Sequence, residues 1–368
     1  MGLAPSTFAK IDDLRVSVFG IPTDAPESDG TLQWDRTTLV LVQASAAGIG
    51  GLGYTYADEA TAVLVHKLLA DIVKGRDATD VRGAWCAMVH AIRNLGRPGI
   101  ASMAIASVDN ALWDLKARLL GVPLAKLLGM ARDSIPIYGS GGFTSYSASQ
   151  LQTQLSGWAE AGIRMVKMKV GRDPGSDVER VRLAREAIGA HAELFVDANG
   201  AYSRKQALAL AEEFREYNVT WFEEPVSSDN LEGLHFIREH APAQINIAAG
   251  EYGYNLPYFE AMLHAKAVDI LQADATRCGG ITGFLKAGFL AEAHQLPFSS
   301  HCAPALHLHA AVCLPSFFIS EYFHDHVRIE EMLFDGVPKV ENGFLKPDLS
   351  RAGFGFEFKY PDAEKYKL

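Results

Sequence analysis

Lys167 and Lys169 stand two residues apart at the end of an apolar run, RMVKMKV (164–170). Side chains two apart on a strand share a face, so the two amines point the same way. The spacing recurs in ELFVDAN (193–199), where Asp197 and Asn199 share a face. Later runs end on Glu223 and Glu224, then Glu251, Asp274, His301 and Glu321. One charged strand end is ordinarily solvated or paired with a neighbour, but a succession of them requires a common explanation.

Asp197, Glu223 and Glu251 come from three adjacent runs. Held together without a cation, their carboxylates repel one another and rise in pKa. A hard divalent cation relieves that. Mg2+, with Mn2+ as a substitute, takes oxygen ligands in an octahedral shell and leaves positions for water and substrate. Glu223 and Glu224 face opposite sides of one strand; Glu223 keeps the inward parity, leaving Glu224 to a structural contact. Two candidate bases flank the cation. The ammonium of Lys167 disfavours a second charge on Lys169 and lowers its pKa. Asp274 orients His301, fixes its tautomer and strengthens it as a base. This set suits removal of the proton next to a carboxylate, with the cation and Lys167 supplying positive charge to the resulting enolate. A protonated Glu321 would donate a hydrogen bond to the same charge.

These residues need a scaffold that gathers strand ends on one rim. From Ser134, short apolar strands alternate with amphipathic helices. Strands are predicted at 135–141, 164–170, 193–199, 220–225, 245–251, 269–275, 296–301 and 316–322, with helices near 147–161, 175–189, 203–217, 230–240, 256–266, 281–294 and 304–313. Eight such units argue for a (β/α)8 barrel, whose chemistry sits at the C-terminal ends of its strands. The last helix reads as short or replaced. The tail, 335–368, leaves the barrel and packs on the first unit. That unit, 1–130, reads as α+β: strands at 14–22 and 37–45, a polar mobile loop at 23–36 between them, and helices near 57–74, 80–95 and 102–120.

The chain has 368 residues and a net charge of −10, which argues against a basic surface for nucleic acid or anionic membrane. No apolar run approaches the ~20 residues of a membrane span. The N-terminus lacks a secretory signal, and Met1–Ser6 fits a loose myristoylation pattern attributed to chance. Cys86, Cys278, Cys302 and Cys313 form no C-x-x-C pair and are expected as reduced thiols in the cytoplasm.

Other motifs carry less. GIGGLG (48–53) matches a dinucleotide fingerprint, but Tyr54-Thr55-Tyr56 intervenes before any helix, so it reads as a Gly-rich turn. His307 and His309 do not share a helical face, and His324-Asp325-His326 reads as a solvated loop. A Schiff-base role for either lysine would leave the three carboxylates unexplained.

Lys167-Met168-Lys169, VDAN (196–199), FEEP (222–225), Gly250-Glu251, QADATRCGG (272–280) and SSH (299–301) together resemble the enolase superfamily, mandelate racemase subgroup. ASVDNALWDLKA (106–117) is similar to that family's N-terminal signature. The resemblance implies an α+β cap over a modified (β/α)7β TIM barrel (131–334). It implies Mg2+ on Asp197, Glu223 and Glu251, bases at Lys169 and the His301–Asp274 dyad, and a tendency to homo-oligomers. It also makes the cap loop near 22–36 a lid, with Trp34, Tyr54 and Tyr56 candidates to reach the barrel mouth and Asn199, Lys167 and Glu321 to bind substrate. The expected reaction is dehydration of an acid sugar to a 2-keto-3-deoxy acid, with racemisation or epimerisation of a 2-hydroxy acid as the alternative.

Overall fold

The computed structural model describes residues 9–368; the Met1–Ser6 pattern and the start of the N-terminal stretch lie outside them. The cap is built on an antiparallel sheet of β1 (Asp13–Ser28), β2 (Gln33–Ala46) and β3 (Ile49–Tyr56). Two expectations fail here. The segment 23–36 is no free loop: both strands run into it, with a register shift between Pro22 and Glu27. Its Pro and Gly content fits that bulge and the turn that follows as well as it fits a loop. GIGGLG is strand from Ile49 onward, and its Gly48 completes the turn that starts at Ala47.

The glycines of β3 have a packing role. A Cβ on Gly51 would stand 2.5 Å from Ala111 O, and one on Gly53 2.3 Å from Ser107 O. Their absence lets the buried helix Ile100–Leu119 lie directly on the sheet. That helix carries the ASVDNALWDLKA signature, and its polar residues lock the cap to the barrel. Asp109 accepts from Thr282 N at 2.9 Å and Thr282 Oγ1 at 2.7 Å. Asn110 accepts from Ile281 N at 3.0 Å, and Trp113 Nε1 donates to Thr282 Oγ1 at 2.9 Å.

Eight parallel strands follow: β4 (Ile135–Gly141), β5 (Met165–Lys169), β6 (Glu193–Asp197), β7 (Val219–Glu223), β8 (Asn246–Ala249), β9 (Ile270–Ala273), β10 (Phe298–Ser300) and β11 (Phe317–Phe323). Each pairs with the next, and β11 closes back on β4 at Ser320–Ile137. The modified TIM barrel beneath an α+β cap is therefore the architecture of the chain. Its strands are buried on both faces, which accounts for their nearly continuous apolar sequences. Tyr138, Phe195, Trp221, Ala248, Ile270 and Ile319 form a separate cluster of buried side chains, with the rings of Phe195 and Trp221 stacked 5.1 Å apart.

Serine caps set helix starts on the barrel's outside. Ser147 with Gln150, and Ser203 with Gln206, form reciprocal capping boxes ahead of Ala148–Glu160 and Arg204–Arg215. After β11 the chain enters a ten-residue helix, His324–Leu333, so His324-Asp325-His326 is no solvated loop. This helix docks on the cap: Thr37 Oγ1 donates to Asp325 Oδ2 at 2.5 Å, and Tyr54 OH to Glu330 Oε1 at 2.6 Å. The tail returns along the cap, where Leu368 N donates to Val18 O at 3.0 Å and the rings of Phe358 and Phe19 meet at 5.1 Å. Among the described residues, no helix is long and apolar enough to cross a membrane.

Candidate active site

The strand ends converge. Asp197, Glu223 and Glu251 each offer a carboxylate oxygen, and these atoms lie within 4.8 Å of one another in a buried setting. Asp197 and Glu223 are the last residues of β6 and β7. Glu251 follows Gly250, whose φ of +134° and whose Cβ position 2.0 Å from Gln272 O admit only glycine.

Lysines lace this acidic cluster. Lys169 Nζ stands 2.5 Å from Asp197 Oδ2. Lys167 Nζ stands 2.7 Å from both oxygens of Glu223, 2.8 Å from Glu321 Oε1 and 3.5 Å from Asp197 Oδ2. Trp221 Nε1 adds a bond to Glu223 Oε2 at 3.0 Å. The predicted lowering of Lys169 is overturned. Burial and the Lys167 charge do push its pKa down, but Asp197 in direct contact outweighs them and holds it above the ordinary lysine value. A protonated Glu321 is likewise not found. Burial disfavours its charge, yet Lys167 and His301 hold it well below the usual carboxylate range. It accepts from Ser140 Oγ at 2.6 Å and Cys302 N at 2.8 Å. The predicted mutual repulsion falls on Glu223, which burial and Asp197 push up to about 8.

Across the mouth, His301 Nδ1 meets Asp274 Oδ2 at 2.8 Å, and Asp274 Oδ1 accepts from Thr276 N at 2.6 Å. His301 Nε2 stands 3.3 Å from Glu251 Oε2. Burial disfavours the imidazolium, but Glu251, Glu321 and Asp274 hold the imidazole above its ordinary value. Sequence spacing gives His307 no partner in His309. His307 braces the dyad from behind: its Nε2 accepts from Ala275 N at 2.7 Å, and its Nδ1 lies 2.9 Å from Ala303 O. Nothing short of the fold would have placed it there.

Buried oxygens in the site region that make no hydrogen bond include Glu251 Oε2, Glu224 Oε1 and Asn199 Oδ1, with His301 Nε2 3.3 Å from the first. Unpaired buried oxygens are costly. Together with the oxygen-only donor set, they fit a hard divalent cation at Asp197, Glu223 and Glu251. Glu224 makes no hydrogen bond through Oε1 and, under burial and the nearby Glu251, is held well above the ordinary carboxylate value. Asn199 lies beyond the end of β6 with φ +45°, so strand parity does not place it; its N–H donates to Asp197 Oδ1 at 2.9 Å.

A cavity of about 440 Å3 opens over these groups. Lys169, Asn199, Glu251, Asp274 and His301 line it from the barrel, and Asp29, Leu32, Trp34 and Arg36 from the cap hairpin. Lys167, Asp197, Glu223 and Glu321 are fully buried and form no part of its wall. Trp34 is fixed by a 2.8 Å bond to Glu27 Oε2 and by an edge contact with Phe143. Tyr56 also lines the cavity, stacked 3.5 Å from His326, whereas Tyr54 turns away to Glu330. The pattern of charged strand ends does not single out Arg36 or Arg277. Arg277 stands 3.3 Å from Glu251 Oε1 and 3.7 Å from Asp274 Oδ2. It lies within QADATRCGG, so the signal was present without a role attached.

Comparison with known proteins places this site in context. Residues 21–129 match the model of the mandelate racemase / muconate lactonizing enzyme N-terminal domain, and residues 150–363 that of the enolase C-terminal domain-like family. The chain is 34% identical to L-talarate/galactarate dehydratase of Salmonella typhimurium, over 96% of this chain and 90% of that protein. A mandelate racemase/muconate lactonizing enzyme-like protein from Rubrobacter xylanophilus superposes with a TM-score of 0.96 at 54% identity, covering 98% of this chain and 100% of the other. A racemase from Streptomyces coelicolor, solved with bound magnesium, gives 0.92 at 30% identity, covering 97% and 100%.

Proposed function

The chain belongs to the mandelate racemase/muconate lactonizing enzyme family of the enolase superfamily, and from that premise we propose that it dehydrates an acid sugar to a 2-keto-3-deoxy acid. The observation that carries this reading is the convergence of three carboxylates on one buried point, with Lys169 and the His301–Asp274 pair both on the wall of the same cavity. The cofactor is Mg2+, and Asp197, Glu223 and Glu251 would hold it. Bound there, it would supply positive charge to the substrate carboxylate and compensate the Asp197 charge that otherwise holds Lys169 protonated.

Lys169, in its neutral form, takes the proton α to the carboxylate; burial and the Lys167 charge favour that form. The electron pair left on the α-carbon forms the enol double bond as the β-hydroxyl departs. His301, protonated, gives that hydroxyl its proton and water leaves; ketonisation of the enol completes the product. The raised pKa of His301 supports the acid role. Lys167 keeps Glu223 and Glu321 in place from beneath the wall, and Trp34 with the cap hairpin excludes water. Asn199 and Arg277 lie where they can contact the polar groups of a substrate.

The test is a panel of mono- and diacid sugars with Mg2+, scored for 2-keto acid. Turnover abolished by EDTA and restored by Mg2+ is the expected result. Stereochemical inversion at the α-carbon with solvent deuterium incorporated and no keto acid formed would overturn the dehydration step and leave racemisation or epimerisation.

A further inference from the structure

A second cluster of metal-ligating side chains lies apart from the catalytic carboxylates. Asp24 and Glu27 belong to the irregular part of β1, where the register shifts between Pro22 and Glu27. His324 is the first residue of the helix that leaves β11. One ligand atom from each of the three lies within 4.8 Å of the others. His324 Nε2 stands 2.9 Å from Asp24 Oδ2, with both side chains partly open to solvent. Glu27 is different: it is fully buried, its Oε2 accepts from Trp34 Nε1, and its Oε1 has no hydrogen-bond partner. A buried carboxyl oxygen left without a hydrogen bond beside an imidazole and a second carboxylate is an acceptor that a cation would satisfy.

We propose that Asp24, Glu27 and His324 form a second divalent-cation site, which joins the cap hairpin to the barrel rim. One imidazole nitrogen with two carboxylate oxygens suits Zn2+ or a similar late first-row cation better than Mg2+, which favours oxygen alone. Zn2+ bonds of 2.0–2.2 Å put neighbouring ligand atoms roughly 3.3 Å apart, and the candidate atoms here already lie within 4.8 Å of one another. Two carboxylates and a neutral imidazole balance the ion's charge. The nearby cation, Arg328, is already committed to Asp325 and Pro22 O.

The location gives the site a consequence. Glu27 holds the indole of Trp34, and Trp34 lines the substrate cavity. An ion on Asp24, Glu27 and His324 therefore fixes one wall of that cavity without touching the reacting groups.

The test is equilibrium dialysis of the whole chain against Zn2+ in excess Mg2+, counting Zn2+ per chain, with Co2+ absorption as a spectroscopic check for nitrogen in the coordination sphere. Wild type is expected to bind one more equivalent than His324→Ala or Asp24→Asn, with affinity at that site at least tenfold higher. Glu27→Gln keeps an acceptor for Trp34 and so preserves the local fold, and it is expected to lose the same equivalent. Zn2+ held by the catalytic carboxylates is common to all four proteins and cancels in the difference. Equal uptake by wild type and the variants, or no uptake by wild type beyond the catalytic site, would overturn the proposal.

Discussion

His301 and Asp274 stand 2.8 Å apart through Nδ1 and Oδ2, on adjacent strand ends, with the imidazole on the wall of the cavity. The carboxylate fixes the ring and stabilises its protonated form. Asp274→Asn keeps the shape and removes the charge. It is expected to lower kcat by roughly 10²–10⁴ with a smaller change in KM, the range set by losing one well-placed acid. Steady-state kinetics with the wild-type substrate checks this; an unchanged kcat would remove the dyad from the mechanism.

The two proton-transfer sites can be separated. With His301→Asn, loss of the β-hydroxyl should stop while exchange of the α-proton with D2O persists, because Lys169 is untouched. With Lys169→Met, exchange itself should stop. Mass spectrometry of substrate recovered from D2O reads both, and the reverse pattern would exchange the roles assigned here.

Glu251 carries an oxygen with no hydrogen-bond partner inside the acidic cluster. Glu251→Gln removes a charge from the cation site at nearly constant volume. Mg2+ affinity by calorimetry should fall at least tenfold while the circular dichroism spectrum is retained. Undiminished Mg2+ binding would place the cation elsewhere.

Thr282 links the cap helix to the barrel, bonded to Asp109 and receiving the Trp113 N–H. Thr282→Val preserves size but leaves Asp109 Oδ1 and the indole N–H unpaired in a buried place. A loss of about 2 kcal/mol in urea unfolding is expected. A change below a few tenths would mean that the Thr282 hydroxyl contributes nothing net to holding cap and barrel together.

His309 contributes to the pH dependence of stability. Burial pushes its imidazole down to about 4, and its Nδ1 accepts from Ala125 N at 3.1 Å. In the unfolded chain the ring titrates near 6.5, so on acidification the unfolded form takes the proton first. The stability that neutral His309 preserves is complete above about pH 6.5 and is lost as pH falls towards 4. The size of that loss is about 3 kcal/mol. His309→Gln retains an acceptor without titrating. Its unfolding free energy should fall less between pH 7 and pH 4 than that of wild type by about this amount, and parallel curves would refute the assignment.

The barrel was legible because its strands announce themselves locally. An apolar body of about five residues ending on one charged residue, repeated at helix-length intervals, needs no knowledge of distant contacts. Asp197, Glu223, Glu251, Asp274 and His301 were found by position along those strands alone. The cap hairpin is not legible in the sequence because Pro22, Pro26 and Gly30 mark a loop and a bulged strand end equally well. Only pairing with Gln33–Ala46 separates the two.

Charge states were decided by tertiary structure. Strand spacing puts Lys167 and Lys169 on one face, and from that alone Lys169 should be lowered. The fold sets Asp197 2.5 Å from Lys169 and Glu321 2.8 Å from Lys167, and contact with an opposite charge outweighs a like charge nearby. The same holds for His307, Arg277, Arg36 and the Asp24–Glu27–His324 group, whose members come together from separate elements. The sequence by itself determined which residues stand at the strand ends and so the class of chemistry they can perform. Which of them share a proton, which face the cavity, and which are braced from behind depend on distances between elements far apart in the chain, and only folding sets those distances.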